Sequence, residues 1–262
     1  LVRERWGVEA GFGPCSVLYA ETLAAPVVGV GHFEPLRHYA EVHLRLSPGP
    51  RGSGVQFFSE CHVDDLSSNW QNLIRTHVLE KQHMGVLTGS PLTDVAVTLL
   101  SGRSHLKHTE GGDFREATYR AVRQGLMHGE SILLEPYYEF TAEVGLDGAG
   151  RVQADMARLG GTCEAPEEMG DRMRIRGRGP VRTLMEYPKE LTVFTKGKGR
   201  ISFRFGGYEP CRDAERIVKE LGYEPERDVE NTPDSVFCSH GAGYPVKWDR
   251  AAAQMHLPVE ES

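Results

Sequence analysis

Alternating hydrophobic and polar positions in the first half of the chain predict strands around a turn-rich segment. Tyr39–Leu46 alternates with a period of two, which predicts a half-buried strand. Residues 47–54 (SPGPRGSG) are rich in turn formers, and Val55–Val63 resumes as a strand. We therefore expect a hairpin with a long loop, followed by a buried strand at Leu92–Leu100.

Two segments of the same half show the helical period instead. Leu66–Met84 is predicted to form a helix with Asp64 or Asp65 as its N-cap. After a polar loop at 101–112, a second helix is predicted from Asp113 or Phe114 to His128. The apolar face of the first helix consists of Trp70, Leu73, Ile74, His77 and Val78. This half is therefore an α+β unit that ends near Pro136.

The second half has the element order βαββαβ. Its predicted strands are 136–144, 162–167, 171–178 and 200–205, and its predicted helices are 147–159 and 181–187, the latter interrupted at Pro188. That order is the split unit of ferredoxin-like folds. The fold class is therefore α+β with two domains and a C-terminal extension.

The third strand of this unit has two chemically different faces. Met173 and Ile175 lie on one face, and the other carries the arginine row, defined as Arg172, Arg174, Arg176 and Arg178. Two interpretations stay open: a binding face for an acidic partner, or a solvated face neutralised by nearby glutamates.

Beyond Pro210 the chain becomes acidic. A short helix is predicted at Asp213–Leu221, followed by a loop-rich stretch to Pro233. The final segment, Asp234–Trp248, has enough aromatic and aliphatic residues to dock on another part of the molecule.

The net charge of the 262-residue chain is −7, with a pI near 5.9, which at first argues against a nucleic-acid-binding protein. Divided by segment, the net charge is −1 for 1–26, −1 for 27–133, 0 for 134–210 and −5 for 211–262. The acidic excess belongs to the C-terminal extension, so the total charge does not forbid a local basic surface elsewhere. No apolar run approaches the roughly 18 residues needed to span a bilayer, so no membrane partner is expected.

Cysteine and histidine usage argues against disulfides and structural zinc. The five cysteines include no Cys-x-x-Cys pair, which is typical of a protein from the reducing cytoplasm. Nine of the eleven histidines lie between His32 and His128, and the candidate metal ligands among them are His38, His43 and the pair Cys61-His62. Because His38 and His43 point to opposite faces of a strand, scattered surface histidines are the favoured interpretation, with no metal ligands assigned.

Enzymatic motifs are missing from the sequence. There is no GxxxxGK[ST] phosphate-binding loop, and Gly29-x-Gly31 is too short for a dinucleotide fingerprint. No catalytic residues are assigned, and the chain by itself is predicted not to be an enzyme.

Several short sequence motifs, in their order along the chain, resemble the C-terminal half of translational GTPases of the elongation factor G superfamily, above all the tetracycline-resistance ribosomal protection proteins. The matching motifs are Trp6-Gly7-Val8-Glu9-Ala10, Tyr19-x-Glu21-Thr22, Ser47-Pro48-Gly49-Pro50-x-Gly52-Ser53-Gly54, Leu133-Leu134-Glu135-Pro136 and Glu186-Tyr187 followed by Glu190-Leu191-Thr192-x-Phe194-Thr195-x-Gly197. The resemblance covers roughly residues 1–208.

The resemblance implies a domain plan. Residues 1–26 are expected to be the end of domain III and a linker, and 27–133 a domain IV arm with a fold like domain 2 of ribosomal protein S5. Residues 134–210 are expected to be a ferredoxin-like domain V, followed by the extension 211–262. On this plan the chain is a piece of a longer protein whose N-terminal domain, in cis, binds GTP and magnesium and acts as a ribosome-dependent GTPase. No cofactor is expected in this chain.

The resemblance also implies a partner, the ribosome, contacted through 16S and 23S rRNA and ribosomal proteins by a cytoplasmic monomer. In the family, the tip of domain IV enters the decoding site, and domain V faces the large subunit. Two loops fall at tip positions, and His105 falls where elongation factor G carries a tip histidine. The predicted rRNA-binding residues are His32, Phe33, Glu34, Pro35, Arg37 and His38 in the first tip loop, and Arg103, Ser104, His105, Leu106, Lys107 and His108 in the second. The predicted large-subunit face consists of the arginine row with Lys196 and Lys198.

Three functions remain open. Ribosomal protection against tetracycline is the first, although Leu106-Lys107-His108 is more basic than the tip of those proteins. An elongation factor G-like role in translocation is the second. A stand-alone metal-binding enzyme that uses the histidines is the third, from another class.

Overall fold

The computed structural model describes residues 2–9, 11 and 16–260. Cys15 therefore lies outside the described residues, and so does Ala10, which ends the first matching motif. The predicted 1–26 segment is described in part. Within it, α1 spans Val2–Trp6 and β1 spans Ala20–Leu23. No helix in the described part of the chain is long and apolar enough to cross a membrane.

The first unit is a sheet covered on one face by two helices. Its elements are β2 (Val27–Phe33), β3 (Ala40–Pro48), β4 (Val55–Ser59), α2 (Ser68–Glu80), β5 (Val95–Ser104) and α3 (Gly111–His128). The predicted strands and helices are present, but β5 continues to Ser104, into the predicted 101–112 loop, and α3 starts at Gly111 with Glu110 as its N-cap, earlier than the predicted start at Asp113 or Phe114. The predicted hairpin between 39–46 and 55–63 is wrong. β5 lies between β3 and β4, antiparallel to β3 and parallel to β4. The connection from β4 to β5 through α2 is therefore a βαβ crossover, which a period-two pattern cannot distinguish from a hairpin.

Helix α3 packs unusually close to β2. A Cβ atom added to Gly29 or Gly31 would lie about 2 Å from the Ala121 or Ala117 carbonyl oxygen of the helix. These glycines therefore permit close packing of strand and helix, and the Gly29-x-Gly31 pattern has a structural explanation.

The predicted apolar face of α2 is confirmed. Ile74, His77 and Val78 are buried, and Trp70 and Leu73 pack against the same core. The helix starts later than expected, with Ser67 at the N-cap position in place of Asp64 or Asp65.

The second unit is ferredoxin-like, as predicted. Its elements are β6 (Ser131–Gly145), α4 (Ala149–Arg158), β7 (Thr162–Cys163), β8 (Glu167–Met169), β9 (Arg172–Pro180), α5 (Val181–Leu184), α6 (Tyr187–Phe194) and β10 (Arg200–Pro210). The antiparallel order β10-β6-β9-β7 places the first and third strands in the centre, and β1 extends the sheet beside the start of β6. The helices cover one face, with Met156, Ile175 and Tyr187 in the core.

Two proline positions change the predicted elements of this unit. The predicted strand 162–167 is interrupted around Pro166 and resumes as β8, because proline cannot donate a ladder hydrogen bond. Pro188 does not end the helical region but stands in the first turn of α6, where its missing N–H has no cost.

The C-terminal extension leaves the second sheet and returns to the first. α7 (Ala214–Leu221) is followed by 3₁₀ turns at Pro225–Arg227 and Val229–Asn231, the strands β11 (Ser235–Ser239) and β12 (Ala242–Val246), and α8 (Trp248–Ala251). β11 pairs in parallel with the end of β2, so the full order of the first sheet is β12-β11-β2-β3-β5-β4. The extension is therefore an integral part of the first unit's sheet.

Polar side chains on α3 hold the extension in place. Arg123 is buried and donates to the Tyr223 hydroxyl over 2.7 Å, Arg120 donates to the Asp234 carbonyl over 3.0 Å, and Gln124 donates to the Trp248 carbonyl over 3.2 Å. These three residues lie at i, i+3 and i+4, so one helix face binds three successive parts of the extension.

Candidate nucleic-acid interface

Strand pairing brings the two predicted tip loops to the same end of the first sheet. Phe33 at the end of β2 is opposite Ala40 at the start of β3, and Ala40 is in turn opposite Ser104 at the end of β5. The loops that leave β2 and β5 are therefore neighbours.

Hydrogen bonds fix these loops to each other and to the start of α3. The Thr109 hydroxyl donates to the Tyr39 carbonyl over 2.6 Å, and His38 Nδ1 lies 2.8 Å from the Asp113 carboxylate. Asp113 also accepts from the backbone N–H of Glu110, which completes a capping box at the helix start. The loop geometry is thus determined before any partner binds.

The outer surface of the loops and of the adjoining end of β5 presents cations without anionic partners among the described residues. Arg37, Arg103 and Lys107 are exposed, and none of them forms a salt bridge in the described part of the chain. Two aliphatic side chains stand beside them: Leu36 is 62% exposed and Leu106 is fully exposed. Cations of this kind bind phosphates, and exposed apolar side chains can insert between unstacked bases.

Two histidines add a stacking surface to the second loop. The rings of His105 and His108 are stacked, with centroids 4.5 Å apart and planes 17° apart, and both residues are exposed. The backbone N–H of Lys107 donates to His105 Nδ1 over 3.2 Å, which orients this ring. Imidazole faces in this arrangement can stack on RNA bases.

The structure corrects the first predicted loop at His32. This side chain is fully buried, with Nδ1 2.8 Å from Glu41 and Nε2 3.0 Å from Glu34, and it stacks on Phe237 at 4.2 Å. An RNA base at the surface cannot stack on this ring in this conformation. Sequence reasoning misplaced it because β11, the strand that covers it, is distant in the chain: Ser235 of that strand follows His32 by 203 residues.

Three other predicted residues support the loops from within. Phe33 is partly buried beneath the Arg120 guanidinium at 5.1 Å, and Ser104 belongs to β5. Pro35 packs close to Gly243 of β12, where an added Cβ would lie 3.3 Å from the Pro35 Cα. The outward-facing part of the predicted set is Arg37, His38, Arg103, His105, Leu106, Lys107 and His108.

Below the loops lies a buried ionic network centred on Glu41. This carboxylate accepts from His32 and His43 and from the backbone N–H groups of His256 and Leu257, at 2.8–3.0 Å. Burial alone would raise the pKa of Glu41, but the hydrogen bonds from His32, His43 and the two backbone groups hold that pKa far below its usual range. The ionised carboxylate therefore joins β2 and β3 to the C-terminal segment.

The β11–β12 hairpin is a third element at this end of the sheet. Val236 is opposite Phe33, and its carbonyl accepts from the Glu34 N–H over 2.8 Å. Because β11 runs parallel to β2 and continues to Ser239, its turn at His240-Gly241 extends beyond the end of β2. The apolar composition of 234–248 predicted docking, but the docking place depends on tertiary structure.

Three of the four arginines in the row are neutralised by neighbouring glutamates. Arg174 pairs with Glu143 at 3.0 Å, Arg176 with Glu167 at 2.7 Å and Arg178 with Glu209 at 3.1 Å; Arg172 donates to the Glu143 and Lys198 carbonyls. Of the two interpretations left open, the structure favours the solvated face with neighbouring glutamates. By contrast, Lys196 and Lys198 are exposed and form no salt bridge among the described residues.

The candidate metal ligands named in the sequence are not brought together. His43 binds Glu41, His38 binds Asp113, and Cys61-His62 follow β4 at the far edge of the sheet. Among the described residues, the one group of histidine, cysteine and carboxylate side chains with metal-ligand spacing is His32, Glu34 and His256.

Comparisons with known families match both units. The family model "Elongation factor G, domain IV" matches residues 15–130, and "Elongation factor G C-terminus" matches residues 132–217. The two ranges correspond closely to the two units of the structure.

Curated proteins and a solved structure agree with these matches. The chain is 28% identical over 228 residues to the tetracycline resistance protein TetP of Clostridium perfringens, covering 86% of this chain and 35% of that protein. It is 28% identical over 225 residues to elongation factor G of Aquifex pyrophilus, covering 84% and 32%. A crystal structure from Thermus thermophilus superposes with a TM-score of 0.75 at 26% identity, covering 84% of this chain and 34% of that one. The chain thus spans about a third of the length of these relatives.

Proposed function

Since this chain belongs to the elongation factor G family, of which it carries domain IV and the C-terminal domain, we propose that it is the ribosome-binding portion of a translation factor GTPase. The tip loops of the first unit reach the decoding site of the small subunit. GTP and Mg²⁺ are bound, and GTP is hydrolysed, by another domain of the whole protein. The whole protein acts as a cytoplasmic monomer.

The observation that carries this proposal is the set of exposed cations at the sheet end, which have no salt-bridge partner among the residues that the structure describes. Arg37 and Lys107 project from loops that are held by hydrogen bonds, and Arg103 projects from the end of β5, so little ordering entropy is lost when they meet phosphates. The stacked pair His105 and His108 offers ring faces for unpaired bases. Together these features suit structured, partly single-stranded RNA.

For the specific reaction we propose ribosomal protection against tetracycline, since one of the curated relatives is a tetracycline resistance protein. Translocation is the second candidate, since another curated relative is an elongation factor G. Expression of the full-length gene in a tetracycline-sensitive host separates the two. Protection raises the tetracycline resistance of the host, whereas a translocation factor supports polypeptide synthesis in an extract depleted of elongation factor G.

Ribosome binding itself is tested by co-sedimentation of the full-length protein with ribosomes. The double variant Arg103→Glu/Lys107→Glu is expected to weaken binding by about 10-fold or more at physiological salt, since two phosphate contacts become repulsive. The matched control, Arg176→Glu/Arg178→Glu, reverses two exposed cations outside the tip. Equal binding by wild type and the tip variant would contradict the proposal.

For the large subunit, we propose that Lys196 and Lys198 make the contact in place of the arginine row. Neither lysine forms a salt bridge within the described residues, whereas the row would have to break its glutamate pairs first. Lys196→Glu/Lys198→Glu should reduce ribosome-stimulated GTP hydrolysis by the full-length protein more than Arg176→Glu/Arg178→Glu does. A larger loss of GTP hydrolysis in Arg176→Glu/Arg178→Glu than in Lys196→Glu/Lys198→Glu would assign the large-subunit contact to the arginine row.

A further inference from the structure

Three side chains from distant parts of the sequence converge beneath the first tip loop. His32 lies at the end of β2, Glu34 follows it in the loop, and His256 belongs to the C-terminal segment after the 3₁₀ turn Ala252–Gln254. One nitrogen or oxygen atom of each lies within 4.8 Å of the others, and His32 Nε2 is 3.0 Å from Glu34. Nearly the whole length of the chain separates the first from the last.

The surroundings orient these groups as metal ligands are oriented. His32 Nδ1 donates to Glu41, whose carboxylate already accepts three other N–H groups, so Nε2 is the nitrogen that faces Glu34, at 3.0 Å. The His256 ring lies beside the His32 ring, with centroids 4.7 Å apart. His256 Nδ1 lies 2.9 Å from the Tyr39 hydroxyl. Metal-binding histidines characteristically donate a hydrogen bond from the other ring nitrogen to a carboxylate, as His32 does to Glu41, and this hydrogen bond fixes the ring orientation.

Packing makes the site rigid on one side and open on the other. The His32 ring stacks against Phe237 at 4.2 Å and meets the edge of Tyr39 at 5.2 Å, so its rotamer is held. Glu34 is partly exposed and His256 is exposed, which leaves an entry path for an ion from solvent.

We propose that His32, Glu34 and His256 bind a zinc-class divalent metal ion that fastens the C-terminal segment to the base of the first tip loop. Two imidazoles and one carboxylate are ligands that zinc and its neighbours in the first transition row prefer, whereas Mg²⁺ and Ca²⁺ prefer oxygen alone. Three protein ligands leave a fourth position for water. The inference is independent of the ribosomal role, since it rests on this cluster alone.

The experiment is metal titration of the full-length protein with Zn²⁺ and with Co²⁺ as a spectroscopic probe. Wild type should bind one equivalent more than the variant His256→Ala, and its Co²⁺ form should show the visible absorption of a nitrogen- and oxygen-ligated ion. The affinity at this site should fall at least 10-fold in His256→Ala and in Glu34→Gln. His256 is exposed, so its alanine variant is expected to fold, which circular dichroism checks.

A matched control uses another exposed histidine. His62, which lies beside Asp64 at the far edge of the sheet, should be replaceable by alanine with no change in stoichiometry or affinity. Zn²⁺ should also raise the unfolding temperature of wild type with increasing concentration but not that of His256→Ala. Equal metal binding by wild type and both ligand variants, or loss of the ion in His62→Ala instead, would overturn the proposal.

Discussion

The tip end of the first sheet and the arginine row of the second both concentrate charge, but they place it in opposite ways. At the tip end, the anion Glu41 is buried with its hydrogen bonds satisfied inside, and the exposed cations Arg103 and Lys107 form no salt bridge in the part of the chain that the structure describes. In the row, Arg176 and Arg178 are at the surface, each paired with a glutamate. The tip end therefore has cations that can bind a partner, whereas Arg176 and Arg178 of the row are paired within the protein.

This difference determines which charges matter for stability and which for binding. A buried carboxylate that loses its donors is costly, because no water replaces them. An exposed ion pair is worth little, because solvent screens it and two long side chains must be ordered to form it. An exposed cation without a pair adds nothing to folding but contributes fully to phosphate binding.

The largest expected effect is therefore on the buried anion. Glu41→Gln places an amide N–H₂ against groups that donate, and we expect the free energy of unfolding to fall by about 3 kcal/mol. Chemical denaturation measures this. The control Glu60→Gln breaks the surface pair with Arg45 and should cost less than about 1 kcal/mol. Equal losses in the two variants would remove the distinction between the two regions.

The pH dependence of the same variant sharpens that prediction. The folded pKa of Glu41 lies below its unfolded value of about 4.3, so its stabilisation is complete above about pH 5 and is lost as the pH falls through the folded pKa. The difference in unfolding free energy between wild type and Glu41→Gln should accordingly shrink steadily below about pH 5. A difference that stays constant from about pH 7 to about pH 3 would mean that Glu41 is not ionised in the fold.

A smaller effect is expected from neutralising one tip cation. Lys107→Ala should weaken ribosome binding by a few-fold and reduce the slope of log affinity against log salt by about 0.7–0.9, which corresponds to one phosphate contact. Binding of the full-length protein at several salt concentrations gives the slope. An unchanged slope with weakened binding would assign Lys107 a structural role.

The smallest effect is expected in the arginine row. Arg176→Gln breaks one exposed pair with Glu167, and the unfolding free energy should change by less than about 1 kcal/mol. Thermal denaturation at low and high salt is the measurement. A loss of more than about 2 kcal/mol would show that the row is a stabilising network.

Local patterns were sufficient for most of the secondary structure. The alternation in 39–46 predicted β3, the apolar face of Ile74 and Val78 predicted α2, and the element order predicted the ferredoxin-like unit. These features depend on residues close together in the chain, so periodicity reveals them. The hairpin error had the opposite cause, because whether β4 pairs with β3 or β5 depends on contacts outside either segment.

The candidate site was predictable in part, for the same reason. The predicted loops identified Arg37, Arg103 and Lys107 as outward cations, although Arg103 lies at the end of β5. His32 was misplaced because Phe237 and His256 cover it from the other end of the chain. The resemblance could not predict the burial of His32, since its matching motifs end before the C-terminal extension begins.

By itself, then, the sequence determined the two α+β units, the cations of the tip loops and the acidity of the extension, all of which are local properties of the chain. Only the tertiary structure decided that three of the four arginines in the row are neutralised, that the extension completes the first sheet, and that Glu41 is buried under the tip. The physical reason is that neutralisation and burial depend on which groups meet in space, and Glu41 is 215 residues from His256.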